Sequence, residues 1–503
     1  MKKIRRIYFV GIKGVGMTAL SLIAKEAGFM VQGSDVSEEF ITDPILKRAG
    51  IVIDKGFKPE ILENFIKDVY SESLVITTAA HGGLANPQSA YAKEKGVVVL
   101  THGQALGLFM KGGIVGKKFI GISVLGCHGK TTIAAMCATA FSKLNLDPTY
   151  AVGTSEIFPL GNPGHFGKGK YFISEADEYI SDMNYDRTVK FLYQNPQFAI
   201  INNIDFDHPD VYSDLNDVKL TFEKFCRENI NHSGTLIANG DDQNVKGLIQ
   251  SLSSQRPDLR VVTYGQEKTN NIYLENFYEE NWESSFEIVQ NGKNLGKFSL
   301  RVPGLHNAKN ALSVAAILLE LGFKIKDVQQ ALWEYKGGKR RQEYVGETQN
   351  GAIVVDDYAH HPDEIDKTLQ AVKNAYRERK IVCVFQPHTL SRTKSLWQDF
   401  ANSFSSANEV IFLPIFTSKR EGEADYSDLY KSIKELMKKN GTVAKFFEDT
   451  RSSKDKDFPP FFYEKNRIFV IKYIHSHFDS SQWVIVTLGA GDLYRISYDL
   501  IKK

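Results

Sequence analysis

The sequence has few of the residues that mark small, cross-linked or metal-bound proteins. Its 503 residues include only four cysteines, which lie far apart at Cys127, Cys137, Cys226 and Cys383. This spacing predicts neither a disulfide framework nor a zinc site, and it is typical of a protein from the reducing cytoplasm. Because 42% of the residues are apolar and only 15 are prolines, the composition also excludes disordered and collagen-like chains.

An excess of charge of one sign is also missing. The 62 lysines and arginines against 60 aspartates and glutamates leave a net charge of +2, which predicts neither a nucleic acid nor a membrane surface as the partner. No apolar run approaches the roughly 18 residues of a membrane helix. The basic residues before Ile7 resemble the start of a secretion signal. Lys13 and its neighbouring glycines interrupt the apolar run that follows, which favours a strand and a glycine turn instead.

The length gives room for about three domains, and strand-like runs alternate with amphipathic stretches throughout the chain. This alternation predicts a doubly wound α/β fold. Glycine-rich turns follow strand-like runs at Gly11 and Gly126, which indicates two nucleotide-type domains in tandem. Continuous apolar runs beyond Gly337 predict buried parallel strands in a third α/β domain. The expected domains are residues 1–116, 117–336 and 337–503, with a polar insertion near 439–482.

The sharpest motif follows the apolar run 119–125 and precedes a helical stretch. It reads Gly126-Cys127-His128-Gly129-Lys130-Thr131-Thr132. Backbone N–H groups of such a loop can hold phosphates, while Lys130 neutralises their charge and Thr131 can coordinate Mg²⁺. Val124 stands where the full Walker pattern has its first glycine, so the sequence predicts a shortened phosphate loop.

Two acidic strand ends come after this loop. Residues 174–178 follow the apolar run 171–173, and residues 203–208 follow the run 198–201. Carboxylates beside a phosphate loop are suitable Mg²⁺ ligands, which makes Glu175 and His208 the candidate metal ligands. Solvated acidic clusters at strand ends remain the alternative for each motif by itself.

Three further motifs carry polar side chains that can bind a nucleotide. Asn307 and Asn310 share one face of a predicted helix, where they could bind a base or a phosphate, although an asparagine at a helix start is also a common N-cap. Arginine at Lys339-Arg340-Arg341 can bind phosphate bidentately. Residues 356–362 end the first strand of the third domain. A solvated basic turn and a capped strand end are the alternative interpretations.

Taken in this order, the motifs resemble the Mur ligase family, whose members are ATP-dependent amide-forming enzymes of peptidoglycan synthesis. The resemblance covers nearly the whole chain. It implies an N-terminal Rossmann-like UDP-sugar domain, a central P-loop-type ATPase domain and a C-terminal Rossmann-like domain. The chain is most similar to the members that join L-alanine to the lactyl carboxylate of UDP-N-acetylmuramate through an acyl phosphate. Residues 179–195 are more similar to members that join a whole tripeptide, which leaves that alternative open.

The resemblance also implies a role for individual residues. The expected ATP-binding residues are Gly126, His128, Gly129, Lys130, Thr131, Thr132, Asn307, Asn310, Arg341 and Asp357. The expected catalytic residues are Lys130, His208 and Arg341. The expected UDP-sugar ligands are Gly14, Gly16, Met17, Ser34, Asp35 and Thr77. His388 and Arg392 are expected near the amino acid, and Thr131, Glu175 and His208 are expected to hold Mg²⁺ or Mn²⁺.

Two other classes of function remain open at this stage. The turn from Gly11 to Gly16 with Asp35 beyond it also fits a dinucleotide site, which would indicate an NAD-dependent oxidoreductase. A non-catalytic nucleotide-binding regulator would leave the metal and hinge residues idle. For the ligase, the expected partners are UDP-N-acetylmuramate and L-alanine, with no nucleic acid and no membrane, for a monomer or homodimer in the cytoplasm. Cys127 departs from the family, which usually carries threonine there.

Overall fold

A computed structural model describes residues 4–206, 211–416, 427–446 and 464–502. The chain forms two compact units. The first contains Met1–Phe277, Ser285–Leu300 and Ala308–Lys336, and the second contains Tyr278–Ser284, Arg301–Asn307 and Gly337–Lys503. Helices and mainly parallel sheets alternate along both, which confirms the predicted α/β class. None of the helices in the described ranges has the length and apolar character needed to cross a bilayer.

The first unit begins with a five-stranded sheet in the order β3-β2-β1-β4-β5, all of whose pairs are parallel. Its strands are β1 (Arg6–Val10), β2 (Met30–Asp35), β3 (Val52–Lys55), β4 (Ser73–Thr77) and β5 (Val98–Thr101). Its helices are α1 (Val15–Glu26), α2 (Asp43–Arg48), α3 (Pro59–Ile66), α4 (Pro87–Glu94) and α5 (His102–Met110). Side chains of β1 alternate between two apolar clusters, with Ile7 and Phe9 in one and Tyr8 and Val10 in the other. Both faces of this sheet are therefore buried, as its continuous apolar strands predict.

A ten-stranded sheet follows, in the order β17-β16-β15-β14-β13-β12-β6-β9-β7-β8. Its strands are β6 (Ile120–Leu125), β7 (Thr149–Ala151), β8 (Gly164–His165), β9 (Tyr171–Glu175), β12 (Phe198–Ile201), β13 (Thr235–Asn239), β14 (Arg260–Gly265), β15 (Ile272–Glu280), β16 (Glu283–Gln290) and β17 (Lys293–Leu300). A separate hairpin comprises β10 (Ile180–Asp182) and β11 (Asp186–Val189). The helices are α6 (Lys130–Lys143), α7 (Leu215–Glu228), α8 (Gln243–Gln255), α9 (Leu305–Glu320) and α10 (Ile325–Trp333).

Helix α1 of the first sheet packs directly on strand β8 at the edge of the second. A Cβ atom at Gly164 would overlap the backbone carbonyl of Ala19, so only glycine fits this crossing. At the end of the same contact, His165 lies between two carboxylates, with Nδ1 2.7 Å from Glu26 and Nε2 3.0 Å from Asp147. The hydrogen bond with Glu26 raises the pKa of His165 above its ordinary value, although partial burial opposes the shift.

We expect this histidine to make the first unit more stable in mild acid than in base. A raised pKa means that its stabilising contribution is full below the ordinary value of 6.5 and is lost as the pH rises through the raised pKa. His165→Gln should therefore lower the melting temperature more at about pH 6 than at about pH 9. Thermal melts of both proteins at the two pH values would test this. An equal difference at both would show that the charge of His165 contributes nothing.

The second unit holds a six-stranded sheet in the order β18-β19-β23-β20-β21-β22, antiparallel only between β18 and β19. Its strands are β18 (Glu343–Glu347), β19 (Ile353–Asp357), β20 (Lys380–Phe385), β21 (Glu409–Phe412), β22 (Val443–Phe446) and β23 (Trp483–Leu488). Its helices are α11 (Pro362–Ala375), α12 (Leu390–Ser395), α13 (Trp397–Asn402), α14 (Ser427–Lys439), α15 (Glu464–His477) and α16 (Tyr494–Leu500).

The segment 439–482, expected to be a polar insertion, contributes two elements to this layer. Strand β22 pairs in parallel with β21. Helix α15 buries Val470 and Ile474 in the same apolar cluster as Ile485 of β23. Both elements therefore belong to the fold of the second unit, and the expectation of an insertion near 439–482 stays a prediction. Residues 447–463 lie outside the described ranges.

Candidate active site

The phosphate loop joins the end of β6 to the start of α6, as the sequence predicts. Gly126 and Gly129 have φ angles of +134° and +81°, and Gly129 is the N-cap of the helix. A Cβ atom at Gly129 would lie 2.6 Å from the side-chain nitrogen Nδ2 of Asn202, so the loop has no room for a side chain there. The N–H groups that begin α6 lack helical acceptors, which suits this end of the helix to bind phosphate.

Lys130 folds back onto the loop that precedes it. Its Nζ atom donates to the carbonyl of Gly126 at 2.6 Å and to that of Cys127 at 3.1 Å. It also forms an ion pair with Glu178, whose two carboxylate oxygens lie 2.9 Å and 2.8 Å away. Burial lowers the pKa of Lys130, but the charge and hydrogen bond of Glu178, together with the nearby Cys127 and Asp177, outweigh it and the net pKa is raised. The ammonium group is therefore cationic and lies at the loop that is predicted to bind phosphate.

Thr131 and Glu175 meet beside this lysine. The hydroxyl of Thr131 donates to Oε2 of Glu175 at 3.2 Å, and the backbone N–H of Gly153 donates to Oε1 of the same carboxylate. A hydroxyl and a carboxylate oxygen are the hard ligands that Mg²⁺ prefers. Among the described residues, no group of three or more His, Cys, Asp or Glu side chains is placed to hold a metal. A cation at this pair would thus need further oxygens, such as those of a bound phosphate. His208, the third predicted ligand, lies outside the described residues.

Two asparagines that follow strand β12 fix the conformation of the phosphate loop by hydrogen bonds. Asn202 and Asn203 each donate a side-chain N–H to the carbonyl of His128 at 3.0 Å, and Asn203 accepts from the N–H of His128 at 2.9 Å. Asn310 of α9 accepts from Asn202 at 3.4 Å, which places this predicted ATP ligand at the phosphate loop. Tyr264 donates to Asn202 at 2.7 Å. Neither Asn202 nor Tyr264 was predicted from the sequence. The position of Asn202 directly after an apolar run is the signal that could have indicated it.

Cys127 ties the phosphate loop to the segment after β12. Its thiol donates to the carbonyl of Asp205 at 3.0 Å and accepts from the N–H of the same residue at 3.2 Å. The imidazole of His128 lies 3.8 Å from the Asp205 carboxylate. The hydroxyl of the threonine that the family usually carries here could make the same two contacts with the backbone of Asp205. Cysteine in place of threonine therefore keeps the link between the loop and this segment.

The carboxyl edge of the first sheet gathers the predicted UDP-sugar residues. Gly14 is the N-cap of α1, so Gly16 and Met17 lie in the first turn of this helix. Asp35, at the end of β2, accepts the backbone N–H of Lys13 at 2.7 Å and that of Val36 at 2.8 Å. These contacts commit both carboxylate oxygens to the turn, which counts against Asp35 as the ribose ligand of a dinucleotide site.

The loop after β4 covers the same edge. Thr77 donates its hydroxyl to the carbonyl of Gly83 at 3.1 Å, and His81 lies 3.6 Å from the Asp35 carboxylate. Ser34, which is fully buried, donates to the side chain of Gln88 at 2.5 Å. The ends of β2 and β4 and this loop therefore lie together near the turn that precedes α1.

In the second unit, the two arginines of the basic motif have different environments. Arg340 is buried and pairs with Asp356 at 3.1 Å, while its guanidinium also donates to the carbonyls of residues 489–491. Arg341 is half-buried and stacks on the ring of Tyr358, with 5.1 Å between Cζ and the ring centroid. The family resemblance implied a role for Arg341 and none for Arg340. The structure makes Arg340 the scaffold and leaves Arg341 as the candidate ligand.

Asp357 and Asn307 both fix the segment around Gln342. Asp357 accepts the backbone N–H of Gln342 at 3.1 Å and that of Ala359 at 2.9 Å. Asn307 donates to the side chain of Gln342 and to the carbonyl of Pro303, both at 2.7 Å. Burial raises the pKa of Asp357 to about 6, although Arg341 opposes the shift. The ATP-binding roles expected for Asp357 and Asn307 stay predictions.

The predicted amino-acid ligands lie at the carboxyl edge of the third sheet. The ring of His388 stacks on Phe416 with centroids 5.4 Å apart and meets His360 edge-on at 5.9 Å. Arg392 is buried in α12, just beyond His388. A Cβ atom at Gly491 would lie 3.0 Å from the Phe416 ring, so the loop after β23 packs closely against this group. Binding of an amino acid here stays a prediction.

Comparison with known proteins gives matches along nearly the whole chain. Sequence profiles of the Mur ligase family match residues 6–113 (catalytic domain), 124–318 (middle domain) and 340–456 (glutamate ligase domain). A UDP-N-acetylmuramate–L-alanine ligase of Desulfitobacterium hafniense is 34% identical over 496 residues, which cover 98% of this chain and 99% of that protein.

Solved structures of similar proteins also match. The crystal structure of UDP-N-acetylmuramate-alanine ligase MurC from Thermotoga maritima has a TM-score of 0.75 at 27% identity, covering 99% of this chain and 98% of that one. A murein peptide ligase of Psychrobacter arcticus has a TM-score of 0.69 with the same two coverages, and at 21% identity it supports the fold alone.

Proposed function

Since the chain belongs to the Mur ligase family, we propose that it joins L-alanine to the lactyl carboxylate of UDP-N-acetylmuramate with cleavage of ATP. The observation that carries this proposal is the phosphate loop in which Lys130 and the Thr131–Glu175 pair converge. The full-length similarity to L-alanine ligases supports the choice of substrates.

The proposed reaction proceeds in two steps. The lactyl carboxylate attacks the γ-phosphorus of ATP, giving an acyl phosphate and ADP. The amine of L-alanine then attacks the acyl carbon, and inorganic phosphate leaves as the amide forms and the amine loses its proton. Negative charge develops on the γ-phosphoryl oxygens in the first step and on the acyl oxygen and the leaving phosphate in the second, so catalysis depends on positioning and charge neutralisation.

Residues of the first unit supply most of these needs. Lys130 would leave the loop carbonyls and bind the transferred phosphoryl group. Thr131 and Glu175 are the proposed Mg²⁺ ligands, and a bound Mg²⁺ would neutralise phosphate charge. At the first sheet, the N–H groups beginning α1 at Gly14 and Gly16 are suited to the diphosphate of the UDP-sugar. Met17, Ser34 and Thr77 line the same edge and are proposed as further ligands.

For the second unit, the proposal assigns two kinds of ligand. Arg341 and Asp357 are proposed to bind ATP together with Asn307, Arg341 as the group that meets phosphate bidentately. His388 and Arg392 are proposed to bind the amino acid, whose carboxylate suits a guanidinium.

The experiment that tests the function is phosphate release from ATP and Mg²⁺ with UDP-N-acetylmuramate and one amine donor at a time. L-alanine, glycine, L-serine and the tripeptide L-alanyl-γ-D-glutamyl-diaminopimelate are the donors to compare. We expect turnover with L-alanine above all. UDP-N-acetylglucosamine, which lacks the lactyl carboxylate, is the matched control and should give none. Turnover with the tripeptide alone would replace the proposal by its alternative, and no turnover with any donor would refute it.

A further inference from the structure

A buried carboxylate connects the hairpin of β10 and β11 to the first sheet. Asp182, at the end of β10, is only 3% exposed. Its Oδ2 atom accepts the backbone N–H of Leu84 at 2.7 Å, across 98 residues of sequence. Its Oδ1 atom accepts the N–H groups of Asn184 and Tyr185 at 2.9 Å and 3.0 Å. Burial by itself would raise the pKa of Asp182, but these three N–H groups outweigh it and the net pKa is lowered.

The loop that receives this contact has no freedom to shift toward the hairpin. Gly83 has a φ angle of +56°, and a Cβ atom there would overlap the Asp182 carboxylate. The carbonyl of Gly83 accepts the hydroxyl of Thr77, the last residue of β4. Asp182 on one side and Thr77 on the other therefore hold residues 83–84 between them.

The same loop lies over the strand ends that are proposed to bind the UDP-sugar. His81 lies 3.6 Å from the carboxylate of Asp35, at the end of β2. A Cβ atom at Gly11, in the turn before α1, would lie 3.6 Å from the His81 ring. A shift of residues 81–84 would thus alter the surface above the N-terminus of α1.

We propose that Asp182 is a positioning residue for the UDP-sugar: it holds residues 81–84 over the carboxyl edge of the first sheet. This inference rests on the proposed function and adds a residue that never touches the reacting atoms. The ATP-binding contacts of Lys130 and of the Thr131–Glu175 pair do not include Asp182. Loss of its charge should therefore weaken UDP-sugar binding and leave nucleotide binding unchanged.

The test is direct binding by isothermal titration calorimetry, which needs no turnover. UDP-N-acetylmuramate and a non-hydrolysable ATP analogue with Mg²⁺ are titrated separately into the wild-type chain and into Asp182→Asn. We expect the Kd for UDP-N-acetylmuramate to rise by about tenfold, the loss of one charge-assisted hydrogen bond. The Kd for the ATP analogue should stay unchanged.

Asp186→Asn is the matched control on the other strand of the hairpin. Its carboxylate accepts from Tyr193 at 2.7 Å and from Gln104 and the N–H of Thr188 at 3.2 Å, all of which lie outside residues 81–84. This variant should bind UDP-N-acetylmuramate as the wild type does. That result would show that the loss of any one carboxylate charge from the hairpin is not enough to weaken binding, and that the contact of Asp182 with Leu84 is needed.

A second variant approaches the contact from the loop. Gly83→Ala should weaken UDP-N-acetylmuramate binding in the same way, and the double variant should lose less than the two single losses combined, because both break one contact. Unchanged UDP-sugar binding in both single variants, or equal losses for both ligands, would overturn the inference. A wild-type chain that does not bind UDP-N-acetylmuramate at all would instead refute the proposed function.

Discussion

Lys130→Arg is expected to slow ATP-dependent ligation strongly while the first unit keeps its fold. Lys130 pairs with the buried Glu178 carboxylate at 2.8 Å. Arginine preserves the positive charge, so the desolvated carboxylate of Glu178 keeps a cationic partner. The planar guanidinium cannot replace the compact ammonium group inside a closely packed loop. We expect kcat to fall by on the order of 10²–10³-fold, the usual cost of losing one preorganised donor to a developing negative charge.

The measurement is phosphate release under saturating substrates, with a thermal melt of each protein. Lys143→Arg provides the control, since Lys143 ends the same helix and pairs with Glu334 at 3.3 Å on the surface. It should leave kcat unchanged. Full activity of Lys130→Arg would remove this residue from the phosphate site. If the melting transition of Lys130→Arg is lost, the double variant Lys130→Met/Glu178→Gln, which removes both charges of the buried pair, separates the structural role from the catalytic one.

The largest expected loss of stability comes from Arg340→Met in the second unit. The Arg340 guanidinium neutralises Asp356, which is fully buried, and it donates to three consecutive carbonyls of the loop after β23. Methionine fills much of the volume but leaves the Asp356 charge without its cation. Breaking a buried pair in this way costs about 3–5 kcal/mol, which for a unit of this size lowers the melting temperature by about 10 °C.

Differential scanning calorimetry of the full chain would measure this shift. Arg379→Met is a suitable comparison, because Arg379 is half-buried in the same unit and donates to one carbonyl, that of Gly351. Its melting temperature should change by less than a third as much. Arg340→Lys should fall between the two, since lysine restores the charge without the fork that reaches several acceptors. A melting temperature of Arg340→Met equal to that of the wild type would show that the buried pair adds nothing to stability.

Local patterns predicted most of the elements that carry the site. The run before Gly126, its glycines and the helical stretch after Lys130 became β6, the phosphate loop and α6. Period and turn chemistry are properties of neighbouring residues, so such elements are readable without the fold. The segment 439–482 is harder to read in this way, because its sparse apolar residues show no clear period for β22 and α15.

Partners that lie far apart in sequence could not be read in this way. The family resemblance singled out Arg341 as the ligand, but only the packing of Asp356 and residues 489–491 shows that its neighbour Arg340 is buried. Glu178 stood in a recognised acidic motif, but its position against Lys130 depends on the pairing of β6 with β9.

By itself, then, the sequence determined the α/β class, the phosphate loop and the family resemblance, because each rests on residue types at short fixed spacings. Only the tertiary structure decided which polar side chains form hydrogen bonds or ion pairs with each other. It paired Lys130 with Glu178, set Asn310 beside the phosphate loop and joined Asp182 to Leu84. These contacts depend on strand order and on the close approach of segments far apart in the chain, and no local spacing encodes that geometry.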